Sequence, residues 1–244
     1  MPWFFAVVER EHELQNPTSA EKIRLLGERL RLGPGSHVLD VASGRGGPAL
    51  VLASAFGCRI TCVERSEEFD AVARRRVHEA GLEALVELVH ADARDFPLEP
   101  ARYDAALCLG ASFVWDGLAG TLEALVPAVR PRGFVAVGEP CWRTWPLPDG
   151  FEPDEGEEGF VTLAETVERF ETAGLAPVTV IDASHDDWDR YVTLHWLAGE
   201  EWLNEHPDDP DADGIRTHLE RGRRRYLRWT RDLLGWAIIA GRKP

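Results

Sequence analysis

The stretch that decides the fold runs from Val38 to Ala49 and reads VLDVASGRGGPA. Its apolar run ends at Asp40, and a glycine-rich turn then leads to Pro48, a residue that the first turn of a helix accepts because no hydrogen-bonding N–H is needed there. Glycine allows the backbone to take positive φ and to approach a ligand closely. We therefore predict a buried strand, a tight turn and a helix, an arrangement that is typical of a nucleotide site.

The turn alone leaves two interpretations open. Gly44, Gly46 and Ala49 fit the dinucleotide-binding fingerprint. Asp40 and Ala42, together with the same two glycines, fit the pattern of S-adenosylmethionine sites, in which an acidic residue closes the strand and small residues alternate. The choice between these two kinds of site depends on residues elsewhere in the chain.

The size and charge of the chain limit its partners. With 244 residues, 44% of them apolar, the chain can bury one sizeable core, and we expect a single domain over residues 1–244. The formal net charge of −15 argues against a nucleic-acid partner, because neutralising phosphates requires a basic surface. A small molecule is the expected partner, and the oligomeric state is left open.

The cysteines and the amino-terminal stretch bear on location. The four cysteines include no CxxC pair, so we expect reduced thiols in a cytoplasmic protein. The stretch MPWFFAVVEREHE has a short apolar run with no positive charge before it and acidic residues after it. We therefore expect neither a signal peptide nor a membrane anchor.

Apolar segments and turns alternate beyond the glycine-rich turn. A helix capped by Thr18 or Ser19 leads into the first strand. Later strands are predicted over residues 58–64, 85–91, 103–110, 133–139, 177–183 and 235–241, and helices over residues 67–81, 117–130, 161–174, 187–205 and 214–232. This alternation predicts an α/β fold with a doubly wound, Rossmann-like sheet of seven strands: five parallel strands and a closing antiparallel pair.

The long segments between the strands suggest a division of the domain. We expect an N-terminal cap segment over residues 1–34, a cofactor-binding core over residues 35–140, and a helical lid insertion over residues 184–234, between the last two strands. Pieces inserted after strand ends commonly cover a site. Residues 130–133 form the predicted turn into the fifth strand.

Acidic residues follow three successive strands of the predicted sheet. Asp40 ends the first strand, Glu64 ends the second, and Asp92 follows the third. The ends of neighbouring parallel strands lie only ~5 Å apart, so these acids can hold different parts of one ligand. Glu64 can accept both hydroxyls of a ribose, and Asp92 can accept the exocyclic amine of adenine while the Ala93 N–H serves a ring nitrogen. The series predicts nucleoside binding.

With these residues in place, the chain resembles the class I S-adenosylmethionine-dependent methyltransferases. VLDVASGRG is similar to their first motif, CVERS to the ribose motif, HADA to the adenine motif, YDAALCLG to the fourth-strand motif, and LVPAVRPRGFVAVGEP to the loop and fifth strand. The first glycine of the family motif is Ala42 here, a change that costs little if its φ is negative. The resemblance implies S-adenosylmethionine as cofactor and assigns its binding to Ala42, Ser43, Gly44, Gly46, Glu64, Arg65, Asp92, Ala93 and Leu109.

The whole chain is also similar to a poorly characterised bacterial subgroup of small-molecule methyltransferases. The residues that carry this similarity are His12 with Asn16 and Pro17, GEP with Trp142, WDRY over 188–191, and Gly235 with Trp236. The similarity implies a small-molecule acceptor of unspecified chemistry.

Methyl transfer requires few catalytic groups from the protein, because the sulfonium is already an activated methyl donor. Catalysis consists mainly of placing an acceptor in line with the methyl group, excluding water and, for a weakly acidic acceptor, removing a proton. Either Glu139, at the end of the fifth strand, or His12 can be the base; the alternatives are loop support for Glu139 and a surface or capping role for His12. Expected walls of the acceptor site are Asn16, Trp115, Trp142 and Tyr191.

A calcium-like pattern, DPDADGIRTHLE, covers residues 209–220. Arg216 stands where such loops carry an apolar residue, and Pro210 follows the first ligand, so we prefer an acidic turn whose Asp213 caps the next helix. The other candidate, His185 beside Asp186, matches no zinc spacing. We therefore expect no metal.

Two other classes of function stay open. One is an NAD-linked oxidoreductase that uses Gly44, Gly46 and Ala49, although the chain offers no Tyr with a Lys four residues later for hydride chemistry. The other is a sensor that binds S-adenosylmethionine without transferring the methyl group. Only turnover separates that sensor from an enzyme.

Overall fold

Strands and helices alternate along the chain, as the apolar segments predict. The computed structural model describes residues 7–244. Its strands are β1 (His37–Val41), β2 (Arg59–Glu64), β3 (Val86–His90), β4 (Tyr103–Leu109), β5 (Val129–Trp142), β6 (Ala176–Asp182) and β7 (Leu234–Arg242). Its helices are α1 (Ala20–Arg29), α2 (Gly47–Phe56), α3 (Glu67–Glu79), α4 (Leu118–Ala128), α5 (Leu163–Thr172), α6 (His185–Glu205), α7 (Ala212–Arg225) and the short α8 (Arg231–Leu233).

The seven strands form one sheet in the order β3-β2-β1-β4-β5-β7-β6. Strands β1 to β5 are parallel, and β7 runs antiparallel to both of its neighbours, β5 and β6. This arrangement confirms the predicted seven-stranded, doubly wound sheet with a closing antiparallel pair. The strand order reverses between β1 and β4, and the crevice at such a switch point is where open α/β sheets bind ligands.

Helices cover both faces of the sheet. On one face Ile23 and Leu26 of α1 and Leu52 of α2 pack into an apolar cluster, and on the other face Leu122 of α4 and Phe170 of α5 do so. The strands are therefore buried on both sides, which explains why β1 and β4 read as continuous apolar runs rather than as alternating ones.

Two helix starts refine the sequence assignments. Ser19, rather than Thr18, caps α1 by accepting a hydrogen bond from the Lys22 N–H at 3.3 Å. The prediction that Asp213 caps a helix is wrong, because Asp211 occupies the cap position of α7. Asp213 lies inside the first turn, where its carboxylate pairs with Arg216 at 2.6 Å. The second half of the calcium-like pattern is thus helical and does not form a loop.

Strand β5 is longer than predicted. The expected turn at residues 130–133 lies within it as an irregularity, since Tyr103 pairs with Val129 but Ala105 pairs with Phe134. At the other end the strand continues to Trp142 instead of ending at Glu139. Trp142 therefore belongs to a strand of the sheet and not to a loop beyond it.

Helices α6 and α7 occupy the insertion between β6 and β7. Asp189 ties α6 to the segment after α7, because its carboxylate accepts hydrogen bonds from the Tyr226 hydroxyl at 2.7 Å and from the Arg231 guanidinium of α8 at 2.9 Å. Arg10 of the amino-terminal segment pairs with Glu201 of α6 at 2.6 Å. In the described part of the chain, no helix is both long and apolar enough to cross a membrane. The expectation of no leader or anchor falls partly on residues 1–6, outside that part.

Candidate active site

The turn between β1 and α2 has the backbone conformation that its glycines permit. Gly44 and Gly46 have φ of +57° and +73°, and Ala42 has φ of +50°. An alanine at position 42 was expected to cost little if its φ were negative, and its φ is positive. An L residue with a Cβ in the left-handed region carries a penalty of about 1–2 kcal/mol, which glycine avoids.

A cavity of about 780 Å³ opens at this turn, along the carboxyl edge of the sheet. Its volume lies within the range of small-molecule and cofactor sites. Of the predicted cofactor residues, those that line it are Ala42, Ser43, Gly44, Glu64, Arg65, Asp92, Ala93 and Leu109. Gly46 does not line it, and a Cβ at Gly46 would lie 3.3 Å from the Cβ of Ala73 in α3. Gly46 therefore serves the close packing of the turn against that helix.

Glu64 ties the end of β2 to the turn. Its Oε2 accepts a hydrogen bond from the Gly44 N–H at 2.8 Å, and its Oε1 accepts one from the Ser66 N–H at 2.8 Å. Each carboxylate oxygen retains a second lone pair for a ligand hydroxyl. The predicted ribose residue thus also holds the glycine-rich turn in place.

Asp92 lies beyond the end of β3, beside Ala93 on the cavity wall. Its Oδ1 accepts a hydrogen bond from the Arg94 N–H at 2.9 Å, and its Oδ2 pairs with the Arg94 guanidinium at 3.2 Å. These contacts with Arg94 hold the pKa of the Asp92 carboxyl below its usual range. The group is therefore an anionic acceptor, as recognition of an exocyclic amine requires.

Asp40 forms part of the cavity wall at the end of β1. It is only 2% exposed, and its Oδ2 has no hydrogen-bond partner among the described residues. Burial, with a contribution from the nearby Glu64 carboxylate, raises the pKa of Asp40 to about 7. An unpaired buried carboxyl is costly in a folded chain and is often retained for a ligand.

The amino-terminal segment crosses the glycine-rich turn. The Gln15 Oε1 accepts a hydrogen bond from the Arg45 N–H at 2.7 Å, and a Cβ at Gly44 would lie 2.1 Å from that oxygen. Asn16 donates from Nδ2 to the Leu109 carbonyl oxygen at 3.0 Å. Both side chains line the cavity, and Asn16 is the only predicted acceptor-site residue that does so.

The other three expected wall residues do not line this cavity. Trp142 is buried in a small cluster, with ring centroids 5.7 Å from Phe151 and 5.8 Å from Phe160. Trp115 ends a 3₁₀ turn (Ser112–Trp115) and packs against the core under α4. Tyr191 lies in α6 and donates its hydroxyl to Glu9 Oε1 at 3.0 Å.

Several residues of the cavity wall were not predicted from the sequence, and three of them bear on the acceptor side. Gln15 and Glu9 belong to the amino-terminal segment, and Phe113 lies in the 3₁₀ turn after β4. Phe113 is 66% exposed, so an aromatic ring stands at the mouth of the cavity. Its position two residues before Trp115, a predicted wall residue, was the available sequence signal.

Glu139 lies at the same edge of the sheet, one residue after Gly138, which pairs with Leu109 of β4. Burial raises its pKa to about 7, against the effect of a hydrogen bond from Ser112. Its Oε1 has no hydrogen-bond partner among the described residues. Glu139 is not part of the cavity lining, but Ser112 stands between Ala111 and Phe113, which are.

His12 is buried between the amino-terminal segment, to which it belongs, and α6, and it does not line the cavity. Its Nε2 donates to the Tyr191 carbonyl oxygen at 2.8 Å, and its ring lies 4.6 Å from that of His195. Burial lowers the pKa of His12, with Glu9 opposing the shift. The structure thus joins His12 to α6 and does not leave it at the surface.

This fold and this cavity define the class: the chain belongs to the S-adenosylmethionine-dependent methyltransferases. Residues 38–133 match a family described as a methyltransferase domain. Over 98% of both chains, the protein is 34% identical to the uncharacterised protein YjhP of Escherichia coli (strain K12). A methyltransferase of Geobacter sulfurreducens, crystallised with S-adenosylhomocysteine, superimposes with a TM-score of 0.90 at 34% identity over 100% of this chain and 99% of its own.

A third relative is a methyltransferase that is named for its substrate. The 27-O-demethylrifamycin SV methyltransferase of Amycolatopsis mediterranei (strain S699) is 25% identical over 95% of this chain and 85% of its own length. The family decides between the two cofactors that the turn left open, and S-adenosylmethionine is the cofactor. The cavity fits it, because the unpaired Asp40 oxygen and the positive-φ glycine turn offer an anion and close backbone approach to a cationic ligand.

Proposed function

We propose that this protein methylates a small-molecule acceptor by in-line displacement, with the acceptor entering between Asn16 and Phe113. The observation that carries the proposal is the continuity of the cavity. It extends from Glu64 and Asp92 across the glycine-rich turn to Asn16 and Phe113, so one space can hold a nucleoside at one end and an acceptor at the other.

The charge of the cavity wall favours a neutral or cationic acceptor. Within residues 7–244 the wall carries the carboxyl groups of Glu9, Asp40, Glu64, Glu68 and Asp92, against one guanidinium, that of Arg65. Such a surface repels phosphates, which argues against a nucleic-acid substrate. The rifamycin relative is named for a small-molecule substrate, which supports the same class for this chain. We place the protein in the cytoplasm, since its four cysteines are free thiols.

When bound, S-adenosylmethionine supplies a methyl group on a sulfonium that needs no further activation. Glu64 and Asp92 would hold its ribose and adenine, and Asp40 lies where an unpaired carboxyl can attract positive charge. The amino-terminal segment, held over the turn by Gln15 and Asn16, would keep water from the reacting atoms. Positioning and exclusion of water are the main contributions that this reaction requires.

Glu139 is the proposed general base. A carboxyl with a pKa of about 7 is divided between its two protonation states at neutral pH, and such a group is well suited to accept a proton. The unpaired Oε1 is the atom that would accept it. His12 is the weaker candidate, because its Nε2 is engaged by the carbonyl oxygen of Tyr191 in α6.

A methyl-label screen tests the acceptor. The purified chain is incubated with S-adenosylmethionine carrying a labelled methyl group and with fractions of a cell extract that contain metabolites, proteins or nucleic acids. We expect label to appear in a metabolite fraction only when the unaltered protein is present. The Glu64→Ala variant, which should bind the cofactor weakly, is the negative control. Label confined to protein or nucleic acid would contradict the proposal, and cofactor binding with no labelled product would indicate a sensor.

The base is tested by the Glu139→Gln variant once an acceptor is in hand. We expect kcat to fall by about 10²-fold or more, as for other general bases, while binding of S-adenosylhomocysteine stays unchanged. In the unaltered protein the rate should rise with pH to a plateau above about pH 7, because the carboxyl must lose its proton first. The matched control is Glu123→Gln, on the exposed side of α4.

A further inference from the structure

Two side chains of the amino-terminal segment, Glu9 and His12, meet a third, His195, from a distant part of the sequence. Their ligand atoms all lie within 4.8 Å of one another. A turn brings the first two together, since the His12 N–H donates to the Glu9 carbonyl oxygen at 3.1 Å, and His195 approaches from α6. Arg45 donates to the carbonyl oxygens of Glu9 and His12 and so fixes the backbone that carries both.

The hydrogen bonds of His12 leave a lone pair facing a carboxylate. A carbonyl oxygen can only accept, so Nε2 carries the proton that bonds Tyr191, and Nδ1 of the neutral ring is then an acceptor. Nδ1 lies 3.5 Å from Glu9 Oε2. Neither atom has a hydrogen-bond partner within the described range, residues 7–244, although Glu9 is only 5% exposed and His12 only 3%.

Two acceptor atoms that face each other in a buried site repel each other, and a cation bound between them would remove this repulsion. The third atom, Nε2 of His195, lies 2.9 Å from Glu9 Oε1. Ligands bound tetrahedrally to one zinc ion at about 2.1 Å would lie about 3.4 Å apart. The observed separations are 2.9 Å from His195 Nε2 to Glu9 Oε1 and 3.5 Å from His12 Nδ1 to Glu9 Oε2, and one ligand atom from each residue lies within 4.8 Å of the others, so side-chain rotations would bring the three groups to one ion.

Tyr191 holds both ligand groups from outside. Its carbonyl oxygen accepts from His12 Nε2, and its hydroxyl donates to Glu9 Oε1 at 3.0 Å. A metal-binding histidine usually donates its other N–H to a carbonyl or carboxylate, and metal-binding carboxylates are themselves hydrogen-bonded. The contacts of Tyr191 therefore match those expected around a metal.

From this geometry we infer that Glu9, His12 and His195 form a binding site for one divalent transition-metal ion. Two imidazoles and a carboxylate suit zinc, cobalt or iron rather than magnesium or calcium, which prefer oxygen ligands. A set of three protein ligands leaves a coordination position for water or another molecule. Glu9 also lines the cofactor cavity, so the ion would lie next to it. The site does not depend on the proposed methyl transfer.

Metal binding is measured on the full chain after removal of metals with a chelator. Zinc is titrated by calorimetry, and cobalt by its visible absorption, which reports nitrogen and oxygen ligands directly. We expect one ion per chain, micromolar or tighter affinity for zinc, and competition between the two metals. More than one weakly bound ion, or no binding, would overturn the inference and leave a cluster held by protons alone.

Variants assign the ligands. Glu9→Gln, His12→Gln and His195→Gln should each weaken zinc binding by more than about 100-fold, the upper range for outer partners, and Tyr191→Phe by about 10-fold. His195→Gln is the most informative, because its side chain is partly exposed and the variant is the least prone to misfold. His78→Gln, at an exposed histidine on α3, is the control and should bind zinc normally.

The same samples separate this inference from the proposed function. S-adenosylhomocysteine is titrated into the metal-free chain, where we expect it to bind. Cofactor binding without metal binding would refute the metal site alone, and metal binding without methyl transfer would refute the proposed acceptor chemistry alone. Full affinity for zinc in His195→Gln would show that the ion binds elsewhere.

Discussion

Asn16 donates a 3.0 Å hydrogen bond from its side-chain amide to the carbonyl oxygen of Leu109, the last residue of β4. This bond joins the amino-terminal segment to the edge of the sheet at the cavity wall. Next to it, a Cβ at Gly110 would lie 2.2 Å from the Asn16 Oδ1. The position of the segment over the cavity therefore depends on a small residue in the sheet edge and on one amide.

Asn16→Ala should loosen this segment. We expect binding of S-adenosylhomocysteine to weaken about fivefold, as the loss of a hydrogen bond of about 1 kcal/mol implies. Calorimetry measures the affinity, and the control is Asn204→Ala at an exposed position of α6. Equal affinities for the two variants would show that the segment does not contribute to cofactor binding.

Glu64→Ala should weaken cofactor binding by at least ~1.4 kcal/mol, or about tenfold. The variant removes the proposed ribose acceptor and leaves the N–H groups of Gly44 and Ser66 without their carboxylate. Glu123→Ala on the exposed side of α4 is the matched control. The prediction fails if both variants bind S-adenosylhomocysteine as the unaltered chain does.

Ala42→Gly should stabilise the protein by about 1 kcal/mol, because glycine takes φ of +50° without the penalty of a Cβ. Thermal unfolding with and without S-adenosylhomocysteine measures the effect. The opposite result is expected for Ala71→Gly on the exposed side of α3, where a helical glycine costs about 1 kcal/mol. A lower melting temperature for Ala42→Gly would contradict the account of the turn.

Asp40→Asn should stabilise the cofactor-free protein in a pH-dependent way. The pKa of Asp40 is raised from 3.8 to about 7, so the folded chain binds this proton more tightly than the unfolded chain. Stability is therefore lost as the pH rises through that window, and the loss is complete above about pH 7. The amide removes the loss, and we expect a gain of roughly 2 kcal/mol at pH 8.

Urea unfolding at pH 5 and pH 8 checks this prediction. The gain in the free energy of unfolding should be clearly smaller at pH 5, and Asp208→Asn, at an exposed position, should show no gain at either pH. A gain that is the same at both values would mean that packing, not charge, explains the effect of the amide.

The sheet and the strand-end acids are predictable from sequence for the same reason. Residues that end neighbouring parallel strands must meet at one edge, so Glu64 and Asp92 could be placed beside the turn before the structure was known. The family comparisons confirm the cofactor and the sheet. The φ of Ala42 was not predictable, because a small residue in the turn is compatible with either sign.

The residues around the acceptor side of the cavity could not be predicted, because their positions depend on contacts between segments that are distant in sequence. Trp142 looked like a loop residue only because β5 was expected to end at Glu139, and the extra strand residues carry it into a core of aromatic rings. Glu9 and Gln15 reach the cavity through the path of the amino-terminal segment, which no periodicity encodes. His12 and His195 meet only because α6 packs against that segment.

The position of β7 between β5 and β6 has a consequence for how the chain is completed. Among the described strands β6 is at the edge and pairs with β7 alone, although β7 comes later in the sequence by the length of two helices and more. Until residues 234–242 are synthesised, both β5 and β6 present unsatisfied backbone edges, and Val178 and Val180 on β6 are exposed even in the finished fold. Such edges invite pairing with other chains. A nascent or truncated chain that lacks this one strand is therefore the form of the protein most prone to aggregate.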